Sequence, residues 1–533
     1  MNQARESSRE AADASPSSPS IVIIGAGMAG ILTAIRLLEA GYRRITIFEK
    51  SDSLGGVWRD NVYPGIRCDV PARMFCYSFA PNPDYSHRFA TGREIWEYLR
   101  ATAERFEVSQ LIRFSKSVTD ARLEDSRWRL TTADGETAHA DVVICCTGIL
   151  HNPKFPELEG RDRFAGTDFH TARWDRDCSL AGKRVGIIGT GSTAAQVIPA
   201  VAREAAELVV FQRSPQWIFP MPNRRYRDWE KRVLGRFPRL AKTFHYLFGK
   251  AFQWSFSQAM IGSKPHVAWV RWQCLRHLRR KVKDPVMRER LTPTDRVGCK
   301  RLIHAKGFYE ALQRPNVTVE SGNLRRITPQ GVETDQGQTH ALDVLIYATG
   351  FHAHRFMRPM NVTGEAGLTL ADAWRDGTTS HRSVAIPGFP NFFMTLGPYS
   401  PIGNYSAIAV AEVQVEYLLR LIDQIRSGNC DLIAPKTSAC EAFMRQADAG
   451  IKQTAWYSGC QSWYLDQSGR TAMWPWSFQR FRQSLHRPQL SEFVMTRRPA
   501  TDSNNNNNTP TNPKKRDSHL QPTTRNDTEL LPN

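Results

Sequence analysis

Two glycine-rich turns give this sequence the residue types and spacings that bind dinucleotides. The first, Gly25-Ala-Gly27-Met-Ala-Gly30, follows a short apolar run and begins a segment with helical periodicity. Its three glycines permit, in order, a tight turn, close approach of the backbone to a pyrophosphate, and close packing of helix and strand. Free N–H groups at the helix N-terminus favour the diphosphate. Glu49 ends the next predicted strand, where a carboxylate accepts hydrogen bonds from ribose hydroxyls.

The second turn, Gly189-Thr190-Gly191-Ser192-Thr193-Ala194, has the same design, with alanine in the third small position. The strand that follows it ends in Gln212-Arg213-Ser214 rather than in an acid. A cation there can pair with a 2′-phosphate and a hydroxyl can donate to it, so this turn predicts NADP rather than NAD. The alternative for Arg213 is a solvated surface side chain.

Two dinucleotide sites in one chain indicate a flavin that is reduced by a nicotinamide. Their order suggests FAD at the first turn and NADPH at the second. A disulfide reductase shares this plan but needs a redox cysteine pair near the flavin. Cys68 and Cys76 are eight residues apart, and Cys145-Cys146 end a strand. Neither arrangement matches a redox pair, and the disulfide reductases are therefore excluded. The ten cysteines contain no C-x-x-C pair and are expected to be reduced thiols.

A longer motif lies between the two turns: Phe164-Ala-Gly166-Thr-Asp-Phe-His170-Thr-Ala-Arg-Trp174-Asp175. Taken alone it is a polar linker with aromatic anchors, and its single histidine is more often structural than catalytic. Its spacing, F-x-G-x-x-x-H-x-x-x-W-[P/D], resembles the fingerprint of type I Baeyer–Villiger monooxygenases. The related flavin-containing monooxygenases end their version in Tyr or Phe. The resemblance covers about residues 20–495, and both glycine turns flank the motif as that family requires.

The resemblance implies an enzyme that uses FAD, NADPH and O2. It would insert one oxygen next to a ketone carbonyl, through a flavin-peroxide, to give an ester or lactone. An alternative is a flavin-containing N- or S-monooxygenase, which uses the same oxidant. A third possibility is a basic membrane- or nucleic-acid-associated protein with vestigial nucleotide folds.

The resemblance also implies roles for individual residues. Leu54-Gly-Gly-Val-Trp58, Arg67-Cys-Asp69 and Tyr77-Ser-Phe79 look like the family's flavin-contacting stretch, with Trp58, Asp69 and Tyr77 as candidate contacts. Cys299-Lys300-Arg301-Leu302 looks like the segment that bears the catalytic arginine. It implies that Arg301 is catalytic, that Asp69 holds it, and that Lys300 reaches the 2′-phosphate.

His170 is assigned to domain coupling rather than to proton transfer. From composition alone Arg301 would be a surface charge, and Asp69 could simply cap a turn. Val57 stands where Thr is common, and Cys460-Gln-Ser-Trp463-Tyr-Leu-Asp466 replaces the family's Gly/Asn/Pro-rich mobile loop.

Short apolar runs alternate with helical stretches, which predicts an α/β fold with two Rossmann-like domains, the second nested in the first, and a helical insertion. Each dinucleotide domain is therefore expected to consist of two separate segments of the chain. The expected organisation is a disordered tail at 1–20, the first segment of the FAD-binding domain at 21–153, the first segment of the NADPH-binding domain with the fingerprint at 154–218, a basic helical insertion at 219–298, the second segment of the NADPH-binding domain at 299–350, the second segment of the FAD-binding domain with the substrate pocket at 351–496, and a disordered tail at 497–533.

The formal charge of +19 comes from 71 Lys+Arg against 52 Asp+Glu. Residues 223–301 hold 21 of the cations and 5 of the acids, so the remainder, 50 against 47, is nearly neutral. One basic segment argues against nucleic-acid binding by the whole protein. Within it, Leu240, Phe244, Leu247, Phe248 and Ala251 share a helical face. That face could border a pocket or rest on anionic lipid; the commoner arrangement is an insertion packed on the NADPH domain with a solvated outer face.

Partners and location follow from composition and resemblance together. We expect O2 and a hydrophobic ketone or sulfide as substrates, no metal, and a monomer or dimer, with weak membrane contact through the basic insertion as a further possibility. The chain has no apolar run of 18 residues, and its first 20 residues lack an apolar signal core. The expected location is therefore the cytoplasm.

Overall fold

A computed structural model describes residues 18–403, 405–459, 462–466 and 468–497. The strands are β1 Ile21–Ile24, β2 Ile45–Phe48, β3 Ile112–Arg113, β4 Val118–Glu124, β5 Arg127–Thr132, β6 Thr137–Ala140, β7 Val142–Cys145, β8 Thr167–His170, β9 Arg184–Ile188, β10 Glu207–Gln212, β11 Val317–Ser321, β12 Leu324–Thr328, β13 Gly331–Thr334, β14 Thr339–Ala341, β15 Val344–Tyr347, β16 Asn361–Thr363, β17 Phe392–Met394, β18 Leu432–Pro435 and β19 Phe493–Thr496. The α-helices are α1 Met28–Glu39, α2 Val57–Asp60, α3 Gly92–Arg105, α4 Ser192–Glu204, α5 Asp228–Arg236, α6 Pro238–Phe252, α7 Gln258–Met260, α8 Lys264–Lys281, α9 Pro285–Arg290, α10 Phe308–Leu312, α11 Leu370–Ala373, α12 Ala407–Arg426, α13 Thr437–Ile451 and α14 Phe478–Ser484.

The first dinucleotide unit is built on a five-stranded parallel sheet in the order β17-β7-β1-β2-β3. All four residues of β1 and of β7 are buried, because helices and a second sheet cover both faces of this sheet. In register, Ile21 pairs with Ile45 on β2 and with Val142 on β7. The apolar run before the first glycine turn is therefore the central strand, as predicted.

The second unit is another five-stranded parallel sheet, in the order β11-β10-β9-β15-β8. Its strands lie in the chain between β7 and β17, both of which belong to the first sheet. This topology confirms that the second dinucleotide fold is nested in the first. After β15 the chain returns to the first unit, since β16 pairs in parallel with β4 of a four-stranded sheet in the order β16-β4-β5-β6.

Helices α5–α9 form the insertion between β10 and β11. Leu278 and Val282, at the end of α8, lie in the hydrophobic core of the second sheet. Helix α6 packs elsewhere, against the short turn Ala72–Met74 of the first unit, where His245 Nδ1 donates to the Arg73 carbonyl at 2.9 Å. The expectation that the insertion packs on the NADPH domain therefore holds for α8 but is wrong for α6.

The ends of the chain and its thiols differ in part from expectation. Ser20 is ordered, and its N–H and hydroxyl both donate to Asp141. Arg497 donates to the Gly428 carbonyl at 2.7 Å. The remainder of the two predicted tails, residues 1–17 and 498–533, lies outside the described residues. The structure contains these free cysteines: Cys68, Cys76, Cys145, Cys146, Cys178, Cys274, Cys430 and Cys440. Cys299 is disulfide-bonded, so the expectation of reduced thiols throughout was wrong for this residue.

Candidate active site

A cavity of about 2000 Å³ joins the two glycine turns. Gly25 and Gly27 of the first turn line it, as do Gly189 and Gly191 of the second. Because the carboxyl ends of β1 and β9 both open into this space, ligands held by the two turns would share one cavity. Asp69, Lys300 and Arg301 also line the cavity, together with Glu49, Trp58, Thr190, Ser192, Arg213 and Ser214.

The first turn has no room for side chains where the chain must bend. Gly25 has φ +103°, and a Cβ there would lie 2.9 Å from the Cys146 carbonyl oxygen. A Cβ on Gly30 would lie 1.9 Å from the Gly25 carbonyl oxygen, although Gly30 is inside helix α1. Gly27 is the N-cap of α1, makes no side-chain cap, and would have no atom nearer than 3.8 Å to an added Cβ. The helix N-terminus is thus bare toward the cavity and fits an anion.

Glu49 lies at the end of β2 and is buried. Its Oε2 accepts from the Ala26 N–H at 2.7 Å and its Oε1 accepts from the Ser51 N–H at 3.1 Å. Each carboxylate oxygen has a further lone pair, so the pre-oriented side chain still fits a ribose hydroxyl. Because Ala26 belongs to the glycine turn, its hydrogen bond to Glu49 also orders that turn. The sequence did not indicate this second role.

Trp58 and Tyr77 have different environments. Trp58 lines the cavity and contacts the edge of Phe75, with ring centroids 5.3 Å apart. Tyr77 is fully buried and its hydroxyl donates to the Met28 carbonyl at 2.6 Å. It is not among the residues that line the cavity. The structure therefore places Tyr77 beneath the first turn of α1, as a support rather than as a wall of the cavity.

Basic side chains lie near the second glycine turn, at the end of β10. Gly189 has φ +111°, and Gly191, the N-cap of α4, would have no atom within 4 Å of an added Cβ. The Lys300 ammonium donates to Ser214 Oγ at 2.7 Å and forms an ion pair with Asp295. Arg213 is exposed and lines the cavity. Arg213, Ser214 and Lys300 together supply the donors that a 2′-phosphate requires.

Arg301 and Asp69 form a bidentate ion pair across 232 residues of sequence. Arg301 Nη2 donates to Asp69 Oδ1 at 2.9 Å, and Nε donates to Oδ2 of the same carboxylate. Nη1 is directed at the Ile402 carbonyl oxygen at 3.4 Å. The two-point contact with Asp69 fixes the plane of the guanidinium, while the Arg301 side chain keeps 27% of its surface accessible. The surface-charge alternative for Arg301 and the turn-cap alternative for Asp69 therefore do not describe these side chains.

Burial and charge act in opposite directions on this pair. Burial alone would raise the pKa of Asp69, but the positive charge and hydrogen bonds of Arg301 outweigh it and hold that pKa below its ordinary value. Burial would likewise lower the pKa of Arg301, and Asp69 raises it instead. Arg301 therefore carries a permanent positive charge at the cavity wall.

The structure adds residues that the sequence did not single out. Tyr464 is fully buried beside Arg301; burial raises the pKa of its hydroxyl, and the Arg301 charge offsets part of that rise. Ile402 and Tyr405 also line the cavity. Tyr464 belongs to the segment that departs from the family pattern. That departure is the only feature of the sequence that pointed to this residue.

The fingerprint residues lie outside the large cavity. His170 ends β8 opposite Tyr347 of β15, is buried, and accepts from the Ala172 N–H through Nδ1 at 3.1 Å. Burial lowers its pKa to about 4, so the ring is neutral near pH 7. Its ring contacts Phe155 and Phe351, at the crossing from the second sheet back to the first unit.

The other fingerprint positions shape this linker. An added Cβ on Gly166 would lie 2.4 Å from the Asp343 carbonyl oxygen and 2.7 Å from the Phe164 ring, so only glycine fits. Trp174 packs against Phe169 with centroids 5.1 Å apart. Asp175 Oδ1 accepts from the Asp177 N–H at 2.9 Å, which closes an Asx turn.

Comparison with known proteins agrees with this geometry. Residues 18–360 match the flavin-binding monooxygenase-like family. A Baeyer–Villiger monooxygenase of Streptomyces coelicolor is 35% identical over 90% of this chain and 92% of its own length. This chain belongs to the Baeyer–Villiger monooxygenase family. A second family relative, an uncharacterized monooxygenase of Mycobacterium tuberculosis, is 42% identical over 90% of this chain and 96% of its own length.

The solved structure of OTEMO in complex with FAD and NADP has the same fold. It superposes with a TM-score of 0.81 and 26% identity, over 90% of this chain and 99% of the other. FAD and NADPH are accordingly the cofactors of this family member, which agrees with the two glycine turns described above.

Proposed function

We propose that this monooxygenase converts hydrophobic ketones to esters or lactones, with Arg301 as its catalytic residue and Asp69 as the residue that positions it. The observation that carries the proposal is the permanently charged, bidentately held Arg301 in the wall of the cavity that joins the two dinucleotide turns. A fixed cation stabilises negative charge that develops on oxygen without having to give up a proton.

The residues of the two turns fit the two cofactors. The bare N-terminus of α1 and the Glu49 carboxylate would hold the diphosphate and ribose of FAD. Gly191, Arg213, Ser214 and Lys300 would hold the diphosphate and 2′-phosphate of NADPH. When bound, the nicotinamide and flavin supply the hydride and the activation of O2 on which the reaction depends. His170, buried and neutral at the linker, would couple the two units rather than transfer a proton.

The wall near Arg301 supports an apolar substrate. Ile402, Tyr405, Trp456 and Trp463 line the cavity. The Ile402 carbonyl oxygen lies 3.4 Å from Arg301 Nη1, and Trp463 packs against Tyr464, the neighbour of Arg301, with ring centroids 4.2 Å apart. Apolar and aromatic walls with a small number of fixed polar groups are typical of sites that bind a hydrophobic molecule and orient one polar atom. A ketone, with a single carbonyl oxygen, has this chemistry.

The test is a panel of cyclic, linear and steroid ketones, with NADPH consumption and product mass as readouts. We expect a product one oxygen heavier than at least one ketone, with the ester or lactone confirmed by its fragmentation. Methyl phenyl sulfide and a tertiary amine serve as comparison substrates. Oxidation of these two with no ester from any ketone would replace the proposal with the N- or S-monooxygenase alternative.

Replacing Arg213 by alanine should weaken the use of NADPH and leave that of NADH unchanged. A charge-assisted hydrogen bond contributes about 1.5–3 kcal/mol, and Arg213 is exposed, so we expect the lower end, a rise in KM for NADPH of roughly tenfold. Steady-state kinetics with both nucleotides measures this. The matched control is Arg203→Ala. It removes an exposed arginine at the C-terminal end of α4, whereas the second glycine turn lies at the N-terminal end of that helix. Equal effects of Arg213→Ala on both nucleotides would contradict the assignment.

A further inference from the structure

Exposed apolar side chains are concentrated in the helical insertion. Of the sixteen large hydrophobic residues that the described part of the chain exposes, twelve lie between Trp229 and Val286. Helix α6 holds the densest group: Leu240, Phe244, Leu247 and Phe248 are 38–54% exposed. We call these four residues, with Ala251, the α6 outer face. Soluble proteins rarely leave such a contiguous apolar surface without a use.

The α6 outer face is distinct from the face by which the helix packs on the protein. The packed face holds Ala241, His245, Gly249 and Phe252, which are buried or half-buried. The exposed residues follow Leu240 at intervals of four, three, one and three residues, so they form a second stripe beside the packed one. The apolar arc of α6 is therefore wider than the surface that the protein covers.

Unpaired cations accompany the α6 outer face. Helices α5 and α6 contain Lys231, Arg232, Arg236, Arg239, Lys242 and Lys250 but only Asp228 and Glu230 as acids. Within the part of the chain that the structure describes, none of these six cations forms an ion pair, whereas Glu230 is paired with Arg224. Arg239, Lys242 and Lys250 lie on a third side of α6, together with Tyr246, and the Lys250 ammonium is 5.5 Å from the centroid of the Tyr246 ring.

We propose that the α6 outer face docks on the surface of an anionic lipid bilayer. An apolar stripe bordered by lysine and arginine is the design of helices that lie in the membrane interface. Each such cation near an anionic surface adds to the affinity. A second copy of this chain fits less well, because a two-fold interface would set the cations of α6 against themselves. No helix among the described residues is long and apolar enough to cross a membrane, so the contact would be peripheral.

Docking would place the active-site cavity next to the lipid surface. On the packed face of α6, Phe252 contacts Tyr405, with ring centroids 6.2 Å apart, and Tyr405 lines the cavity. One helix therefore separates the proposed docking surface from the cavity wall. The docking does not depend on which substrate the enzyme oxidises.

The test is flotation of the full-length FAD-loaded enzyme with vesicles. Vesicles of phosphatidylcholine alone are compared with vesicles of phosphatidylcholine and phosphatidylglycerol in equal amounts. We expect the enzyme to float with the anionic vesicles and not with the neutral ones. The triple variant Phe244→Ser/Leu247→Ser/Phe248→Ser should bind the anionic vesicles roughly tenfold more weakly, because it removes apolar surface that would be buried in the interface.

Two further variants separate the contributions. Arg239→Gln/Lys242→Gln/Lys250→Gln should bind about a hundredfold more weakly, since each cation contributes about 1 kcal/mol at an anionic surface. Leu490→Ser/Val494→Ser removes two residues that are equally exposed but lie outside the insertion, and it should float like the unmodified enzyme. Retained FAD in every variant shows that the fold is intact.

Three results would overturn the proposal. The unmodified enzyme could fail to float with anionic vesicles, or the serine triple variant could float as well as the unmodified enzyme. The third is a dimer, seen by analytical ultracentrifugation without vesicle binding, that the serine triple variant abolishes. This last result would assign the α6 outer face to a second copy of the chain.

Discussion

Alanine in place of Arg301 should reduce ester formation by about 100- to 1000-fold, the usual cost of removing one preorganised group that stabilises developing negative charge. Reduction of the bound flavin by NADPH should persist, because the glycine turns and the side chains of Arg213, Ser214 and Lys300 remain in place. Stopped-flow absorbance of the flavin measures the reduction step, and product mass measures oxygenation. The expected signature is NADPH consumption without ester.

The control for this variant is Arg296→Ala, which removes an exposed arginine outside the cavity lining, five residues earlier in the same segment. It should oxygenate at the normal rate. Arg301→Lys keeps the charge but loses the fork that meets both oxygens of Asp69, so it should recover only a fraction of the activity. Unimpaired ester formation by Arg301→Ala would refute the catalytic role.

Gly30→Ala is the second change with a large expected effect. Its new Cβ would lie 1.9 Å from the Gly25 carbonyl oxygen, which is backbone and cannot rotate away. Either the first turn or helix α1 must shift, and overpacking of this kind typically costs about 1–3 kcal/mol or more. The shift would move the N–H groups that face the diphosphate. We expect loss of most bound FAD and a lower Tm, measured by flavin absorbance after gel filtration and by thermal unfolding.

A matched helical glycine controls for the substitution itself. Gly235, inside α5, would meet only Pro83 Cγ, at 3.8 Å. Gly235→Ala should be neutral or stabilise by about 0.5–1 kcal/mol, since alanine has the higher helix propensity. If Gly30→Ala retained FAD as well as Gly235→Ala does, the close approach of α1 to the first turn would not be needed for cofactor binding.

Several features were predictable because they are local in sequence. The strands that begin at Ile21 and at Arg184, and the glycine turns that follow them, depend on apolar runs and on backbone freedom within about ten residues. The nesting followed from the order of these turns and of the later strand-like runs. The packing of α6 was not predictable in this way, because its more apolar stripe is the exposed one. The packed face contains a histidine and a glycine, and it contacts the Ala72–Met74 turn, which is distant in sequence.

For the candidate site, the resemblance pointed to Arg301 and Asp69, but their contact joins residues 232 positions apart. Tyr77 shows the opposite case: it lies in a motif that resembles flavin contacts, yet its hydroxyl is taken by the Met28 carbonyl. Whether a side chain faces the cavity depends on how the surrounding elements pack, and spacing along the chain does not report that.

Sequence alone was enough for the two dinucleotide turns, their order, the family fingerprint and the location of the excess charge. These are properties of residue type and of short-range spacing. The tertiary structure decided the partner of Arg301, the burial of His170 and of Tyr464, and the exposure of the α6 outer face. Each of these depends on which distant surfaces meet, because burial and charge pairing arise between elements that the chain brings together only when it folds.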